Sequence, residues 1–203
     1  VRAQQERFEE VLEQAARVGI RPQVRHLANS AATLTNPSAH YDLVRPGVSV
    51  YGLSPAPDLG APEEYGLREA MRLVARLSMV KDCPAGQGIS YGHTYTTSRQ
   101  TRLGLIPMGY ADGIPRHASN TGPVLVAGRR HTIAGRVCMD QVVLDLGPDS
   151  PVTAGEEAVL FGVGAAGEPT AQDWADAVGT INYEIVTRVG SRVPRVYVGE
   201  APA

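Results

Sequence analysis

Apolar side chains near the start of the chain recur every three or four positions. Phe8, Val11, Leu12, Ala15, Ala16 and Val18 form one stripe, while Glu6, Glu9, Glu10, Glu13 and Arg17 take the other positions. That period predicts an amphipathic helix, and Gly19 is a natural stop. The pattern then shortens. Residues 23–27 form one extended run and residues 41–45 another, with a helical turn or two between them at 30–34. Helix, strand, helix, strand is the order of α/β units with parallel strands.

Residues 54–66 break the pattern with Pro, Gly, Asp and Glu, which reads as a linker. The chain is therefore divided into residues 1–53, a linker at 54–69 and a β-rich domain at 70–203. In the last region residues 72–80 alternate. Runs at 102–107, 123–126, 131–137, 141–146 and 158–161 are short, β-prone and separated by Gly, Pro and Asp. Ala127-Gly128 suits a hairpin tip. One helix interrupts, with Thr170 as its cap, Asp173 three residues on, and Trp174, Ala177 and Val178 following. Residues 195–198 are expected to close the chain as a strand.

Composition narrows the function classes. Of the 203 residues, 43% are hydrophobic and 20% charged, as in an ordinary globular protein. A net charge of -2 provides no field to gather nucleic acid. No apolar run approaches the roughly 18–20 residues needed to span a bilayer. The two cysteines, Cys83 and Cys138, lack C-x-x-C spacing and fit free thiols in a reducing compartment, with one disulfide left open. The histidines show no ligand spacing, so no metal site is expected. The chain begins at Val1 inside a helical pattern, which reads as a fragment or a processed product. Lys81 is the only lysine.

Candidate chemistry gathers after the two early strands. Ser30 offers a hydroxyl at a helix start, where free N–H groups favour an anion. Gly47 lets backbone N–H groups approach a phosphate without a Cβ in the way. In barrels of alternating strands and helices, loops after the last strands commonly bind phosphate. The plainer alternatives are a helix cap at Asn29-Ser30 and a simple turn at Pro46-Gly47. Arg45 carries a permanent charge. On a pyridine nitrogen it would keep that nitrogen unprotonated; its plain alternative is an ion pair with Asp42.

Residues 88–95 (GISYGHTY) resemble the tyrosine-bearing motif of the alanine racemases. Five further segments match the same family in the same order: 26–30 (HLANS), 42–52 (DLVRPGVSVYG), 107–116 (PMGYADGIPR), 135–141 (GRVCMDQ) and 181–184 (INYE). The resemblance implies the last strands and helices of a TIM-type α/β barrel followed by a mostly β C-terminal domain. It implies a pyridoxal 5′-phosphate enzyme that interconverts L- and D-alanine in the cytoplasm, supplying D-alanine for peptidoglycan. It makes Tyr91 one of two bases that exchange the α-proton. Ser30, Gly47, Val48 and Tyr183 would hold the cofactor phosphate, Asn29 would line its pocket, and Arg45 would contact the pyridine nitrogen. The Met139 N–H would bind the substrate carboxylate. Tyr110, Arg116, Arg136 and Ile181 would line the corridor into the pocket. It also implies a head-to-tail homodimer whose sites are shared, with Tyr91 and Met139 reaching into the partner.

A free phenol has a pKa of about 10, and a base working near neutrality needs a nearby cation to bring it down. A cation is therefore expected close to Tyr91. Tyr95 is read as structural, Cys138 as a small buried thiol, and Asp140 as a local hydrogen-bonding group. A barrel-type decarboxylase of the same architecture fits less well, because there the diagnostic cysteine is followed directly by aspartate, whereas Met139 separates Cys138 from Asp140 here. A racemase for a related amino acid such as serine, and a non-catalytic dimerisation module, remain as alternatives.

The resemblance implies that the cofactor lysine, which is also the second base, lies in an N-terminal barrel segment outside these residues. Lys81 is read as a solvated strand residue. The 203-residue chain alone is thus expected to be inactive. A racemisation assay on the purified chain checks this, and turnover above that of pyridoxal phosphate alone contradicts it.

Overall fold

The computed structural model describes residues 2–199. The chain divides into two compact units, the first running to Ala70 and the second starting at Met71.

The first unit opens with α1 (Arg2–Arg17), which has no buried residue. Gly19 ends it at φ 81°, and the Ile20 amide returns to the Ala15 carbonyl at 2.9 Å. Phe8 packs edge-on against Tyr41, with ring centroids 5.1 Å apart. β1 (His26–Asn29), α2 (Ser30–Thr35) and β2 (Leu43–Arg45) follow. The two strands are parallel, pairing His26 with Leu43 and Asn29 with Arg45.

Residues 54–69 fold back onto the unit. Pro62–Tyr65 is a 3-10 turn, and buried Ser54 donates to the Gly60 carbonyl at 2.8 Å. The Ala70 amide reaches the Tyr51 carbonyl at 3.0 Å. Gly52, at φ 78°, makes this approach possible, since a Cβ there would lie 1.8 Å from the Arg68 carbonyl oxygen. Prolines and glycines here build tight turns that satisfy their own backbone instead of an open tether.

The second unit contains β3 (Leu73–Arg76), β4 (Met79–Cys83), β5 (Gly88–Ile89), β6 (Tyr95–Thr96), β7 (Thr101–Ile106), β8 (Pro123–Val126), β9 (Arg129–Thr132), β10 (Val142–Gly147) and β11 (Glu157–Phe161), then α3 (Ala171–Val178) and α4 (Asn182–Thr187). Antiparallel pairing gives one sheet in the order β10-β7-β4, another in the order β3-β11-β8-β9, and the small hairpin β5-β6. Alternation places Leu144 and Leu146 of β10, Val124 and Val126 of β8, and Leu160 of β11 in the core. Ala127 and Gly128 both take positive φ, as a two-residue hairpin turn requires. α3 has the expected capping box: Thr170 Oγ1 accepts the Asp173 amide at 3.0 Å, and Asp173 accepts the Thr170 amide at 3.1 Å. Trp174 is fully buried and donates its indole N–H to the Leu160 carbonyl.

Three sequence expectations need correction. The first strand starts at His26, not residue 23. The run at 131–137 is a strand only as far as Thr132; Ile133 keeps a single bridge to Leu144, and the chain then leaves the sheet. Residues 195–198 form no strand. Arg195 instead curls the chain, donating to the carbonyls of Val189, Gly190 and Val193. β-propensity without a partner edge does not make a strand.

Leu144 is wholly buried where the sheet order places β10 against β7. Leu144→Ala is expected to lower stability by about 2–5 kcal/mol, read from the urea midpoint. An unchanged midpoint contradicts this assignment of the core.

Candidate active site

In the first unit, β1 and β2 end at one level, where Asn29 and Arg45 are register partners. Asn29 caps α2, its side-chain oxygen accepting the Ala32 amide at 3.0 Å. Ser30 is only 4% exposed, and its Oγ accepts the Gly47 amide at 2.7 Å. Its hydroxyl hydrogen has no acceptor among the described residues. Gly47 faces open space, since a Cβ there would meet nothing within 4 Å. Buried Val48 follows and opens the 3-10 turn Val48–Tyr51. Arg45 donates to Nδ1 of His26, not to Asp42. Arg25 takes Asp42 instead, gripping both oxygens at 2.7 and 3.0 Å. These hydrogen bonds hold the Asp42 carboxyl down at about 2.

In the second unit, Tyr91 stands in the loop between β5 and β6. Ile89 pairs with Tyr95 below it, and the phenol is 73% exposed with no hydrogen bond among the described residues. On one side Ser90 donates to the Arg136 carbonyl at 2.7 Å. On the other, Asn120 donates to Thr94 Oγ1 at 3.2 Å and accepts the Gly135 amide at 2.6 Å. The Arg136 guanidinium lies 3.6 Å from where a Gly92 Cβ would sit, so a cation flanks the residue next to Tyr91.

Met139 occupies the loop after the sheet is left. The Tyr110 amide donates to the Cys138 carbonyl at 3.0 Å, and the Ala111 amide donates to the Met139 carbonyl at 2.8 Å. Gly109 permits this crossing, because a Cβ there would lie 2.3 Å from the Cys138 oxygen. The Met139 carbonyl is thus pinned, while its N–H makes no hydrogen bond among the described residues and its side chain is 56% exposed. Arg116 opens a 3-10 turn whose Ser119 hydroxyl donates to the Arg116 carbonyl at 2.7 Å and accepts the Val137 amide at 3.0 Å. Asp112, 6% exposed, accepts the Gly109 amide at 2.9 Å and pairs with Arg192 at 3.3 Å. That ion pair ties the Tyr110 turn to the chain beyond α4. Ile181 caps α4 and is exposed; Tyr183 lies in its first turn, where burial pushes its phenol up.

Hydrogen bonds therefore join the loops of Tyr91, Tyr110, Arg116, Arg136 and Met139 into one rim. Two cavities of the second unit, of about 350 and 340 Å³, are lined by neither Tyr91 nor Met139. Sequence reasoning missed Ser90, Asp112 and Asn120, which hold the rim together. Asp112 left a trace in its position three residues after Gly109; Ser90 and Asn120 left none. Among the described residues no group of three or more metal-ligating side chains gathers.

Tyr95 differs from Tyr91. Its hydroxyl donates to Asp145 at 2.6 Å, and burial, then the hydrogen bond and charge of Asp145, push it up to about 12. Burial works against ionised Asp145, but hydrogen bonds from Thr101, Tyr95 and the Gly147 amide outweigh it and hold the carboxyl below its ordinary range. Cys83 and Cys138 are both free.

A family model described as Alanine racemase, C-terminal domain, matches residues 70–197, and one described as Alanine racemase, N-terminal domain, matches residues 1–55. The chain is 62% identical over 200 residues to an alanine racemase of Streptomyces coelicolor, covering 98% of this chain and 51% of that protein. An alanine racemase of Salinispora arenicola is 64% identical over 196 residues, covering 96% and 51%. The solved alanine racemase of Streptomyces coelicolor superimposes with a TM-score of 0.94 at 63% identity, covering 98% of this chain and 51% of that one. That of Bacillus anthracis, solved with bound L-Ala-P, gives 0.89 at 36% identity, covering 97% and 50%. The chain spans about half the length of the relatives it matches.

The Tyr95–Asp145 pair sets a pH dependence of stability. A phenol raised in the fold stabilises fully below its unfolded pKa of about 10, and that contribution is lost as pH rises toward about 12. A carboxyl lowered in the fold stabilises above its unfolded pKa, and its share is lost as pH falls through the folded value. Tyr95→Phe is expected to be less stable than the parent at pH 8 but to lose less between pH 10 and 12. Urea midpoints across those values test it, and parallel curves refute it.

Proposed function

This chain belongs to the alanine racemase family, and from that premise we propose that it carries the C-terminal part of an enzyme interconverting L- and D-alanine. The observation that bears most weight is the rim itself: an exposed phenol at Tyr91 and an unspent N–H at Met139, on loops hydrogen-bonded into one frame.

The implied cofactor is pyridoxal 5′-phosphate. The first unit fits its phosphate, because Ser30 keeps an unspent hydroxyl hydrogen beside a glycine that faces open space. Ser30, Gly47, Val48 and Tyr183 would hold that phosphate, Asn29 would line the pocket, and Arg45 would meet the ring nitrogen. When bound, the cofactor supplies an electron-withdrawing ring that makes the Cα–H bond of an amino acid acidic.

The chain's own residues then act as follows. The Met139 N–H binds the substrate carboxylate and fixes which atoms face the phenol. Tyr91 Oη takes the α-hydrogen from one face, or returns it there. Arg136 provides a cation beside the tyrosine loop. Tyr110, Arg116, Arg136 and Ile181 line the approach, where the two guanidiniums favour a carboxylate. Lys81 is exposed in β4 opposite Leu103 and takes no part.

A homodimer with shared sites is part of the same reading. Tyr91 and Met139 are too exposed to enclose a substrate alone, and a second copy would cover them. The free thiols suit the cytoplasm, where D-alanine would feed peptidoglycan synthesis.

The test uses the whole gene product that carries this chain. L- and D-alanine are expected to racemise, with Tyr91→Phe lowering kcat by about 10²–10⁴-fold and leaving the fold unchanged by circular dichroism. Undiminished turnover in Tyr91→Phe rejects the role of the phenol. A marked preference for serine over alanine replaces the substrate.

A further inference from the structure

We propose that Ser90 is a positioning residue for Tyr91: its hydroxyl bond to the Arg136 carbonyl sets the phenol's place relative to the Met139 N–H. This rests on the racemase reading above.

Tyr91 has no hydrogen-bond partner of its own among the described residues. The direction of its side chain therefore depends on the backbone that carries it. That backbone is unusual: Ser90 lies at φ 61°, ψ −174°, a region where essentially only glycine is unstrained. Gly92 and His93 follow with φ of 68° and 47°. A glycine would relieve the strain at position 90. What serine adds is the hydroxyl, which donates to the Arg136 carbonyl at 2.7 Å and lies 3.3 Å from Cys138 Sγ.

Both contacts fall on the loop that continues to Met139. Gly135 makes room for them, since a Cβ there would approach Ser90 Cβ to 3.0 Å and the Ile89 carbonyl oxygen to 2.8 Å. The Met139 loop has separate anchors in the Tyr110, Ala111 and Gln141 contacts, none of which needs Ser90. Loss of the Ser90 hydroxyl thus frees the phenol while leaving the carboxylate-binding N–H in place. Proton transfer should suffer and substrate binding should not.

The test compares Ser90→Ala, Ser90→Gly, Tyr91→Phe and the double variant Ser90→Gly/Tyr91→Phe in the whole gene product. Ser90→Ala removes the hydroxyl and keeps the strain; Ser90→Gly removes both, so it guards against a failure to fold. Both single variants at Ser90 are expected to lose roughly 10- to 100-fold in kcat, with KM for alanine within about twofold. With alanine deuterated at Cα, the primary isotope effect should rise for the enantiomer whose α-hydrogen the phenol removes. Ser90→Gly should keep the parent's unfolding midpoint. The double variant should be no slower than Tyr91→Phe, because the serine acts only through the phenol.

Parent-like kcat and isotope effect in Ser90→Gly overturn the proposal. So does activity that falls only in proportion to the folded fraction, and so do losses that multiply in the double variant. If Tyr91→Phe retains full activity, the racemase role of the phenol fails first. If Tyr91→Phe is inactive while Ser90→Gly is not, only the positioning role fails.

Discussion

Everything at the rim of the second unit depends on an exchange of backbone hydrogen bonds between loops that belong to no sheet. The 107–113 and 135–141 segments carry amides and carbonyls that need partners, and they find some of them in each other and others in Ser90, Ser119 and Asn120. Tyr110 and Ala111 donate across to Cys138 and Met139. Two glycines, Gly109 and Gly135, bring the chains close enough for this pairing and for the Ser90 contact. Irregular backbone that pairs its polar groups in this way needs no sheet to satisfy them. It also leaves selected groups unspent. The Met139 N–H and the Tyr91 hydroxyl are free because the atoms around them are occupied.

The first unit shows the same economy. Ser30 accepts from Gly47 and so joins the loops after the two strands, yet it keeps its own hydrogen for another acceptor. Arg25 absorbs the charge of Asp42, so Arg45 is not drawn into that pair and is held by His26 at the neighbouring strand end. In the proposed reading, a cation kept out of that ion pair would serve a ring nitrogen better than one neutralised by a carboxylate three residues away.

Much of this was legible in the chain. Helical periodicity located α1, and the Thr170/Asp173 spacing located α3 with its cap. Ala127-Gly128 marked its hairpin, because two adjacent positive φ angles need residues without large β-branched side chains. The motif segments marked Tyr91, Met139 and Ser30 as candidates. What could not be read was long-range. Nothing in residues 88–95 says that Ser90 meets a carbonyl 46 positions later. Nothing in residues 195–198 says that the expected strand finds no edge while Arg195 spends itself on nearby carbonyls. Residues 54–69 have the composition of a tether, and it takes the buried Ser54 bond to Gly60 and the close crossing of Gly52 by Arg68 to show that they are packed.

The two tyrosines of the β5–β6 hairpin show how one short segment separates structure from chemistry. Ile89 and Tyr95 pair across the base of the loop, so Tyr95 points to Asp145 and becomes a half-buried donor whose phenol is pushed up to about 12. At that value it cannot serve as a base near neutrality. Its bond to Asp145 instead anchors the base of the hairpin. Four residues earlier, Tyr91 rides on the anchored loop with its hydroxyl in the open and a guanidinium across Gly92. One phenol is used up to hold the loop still, so that the other can be left unbonded without losing its place. The loop is also tied above its base, by Asn120 to Thr94 and by Ser90 to the Arg136 carbonyl, and in the proposed reading the tie beside the exposed phenol bears more on proton transfer than on stability.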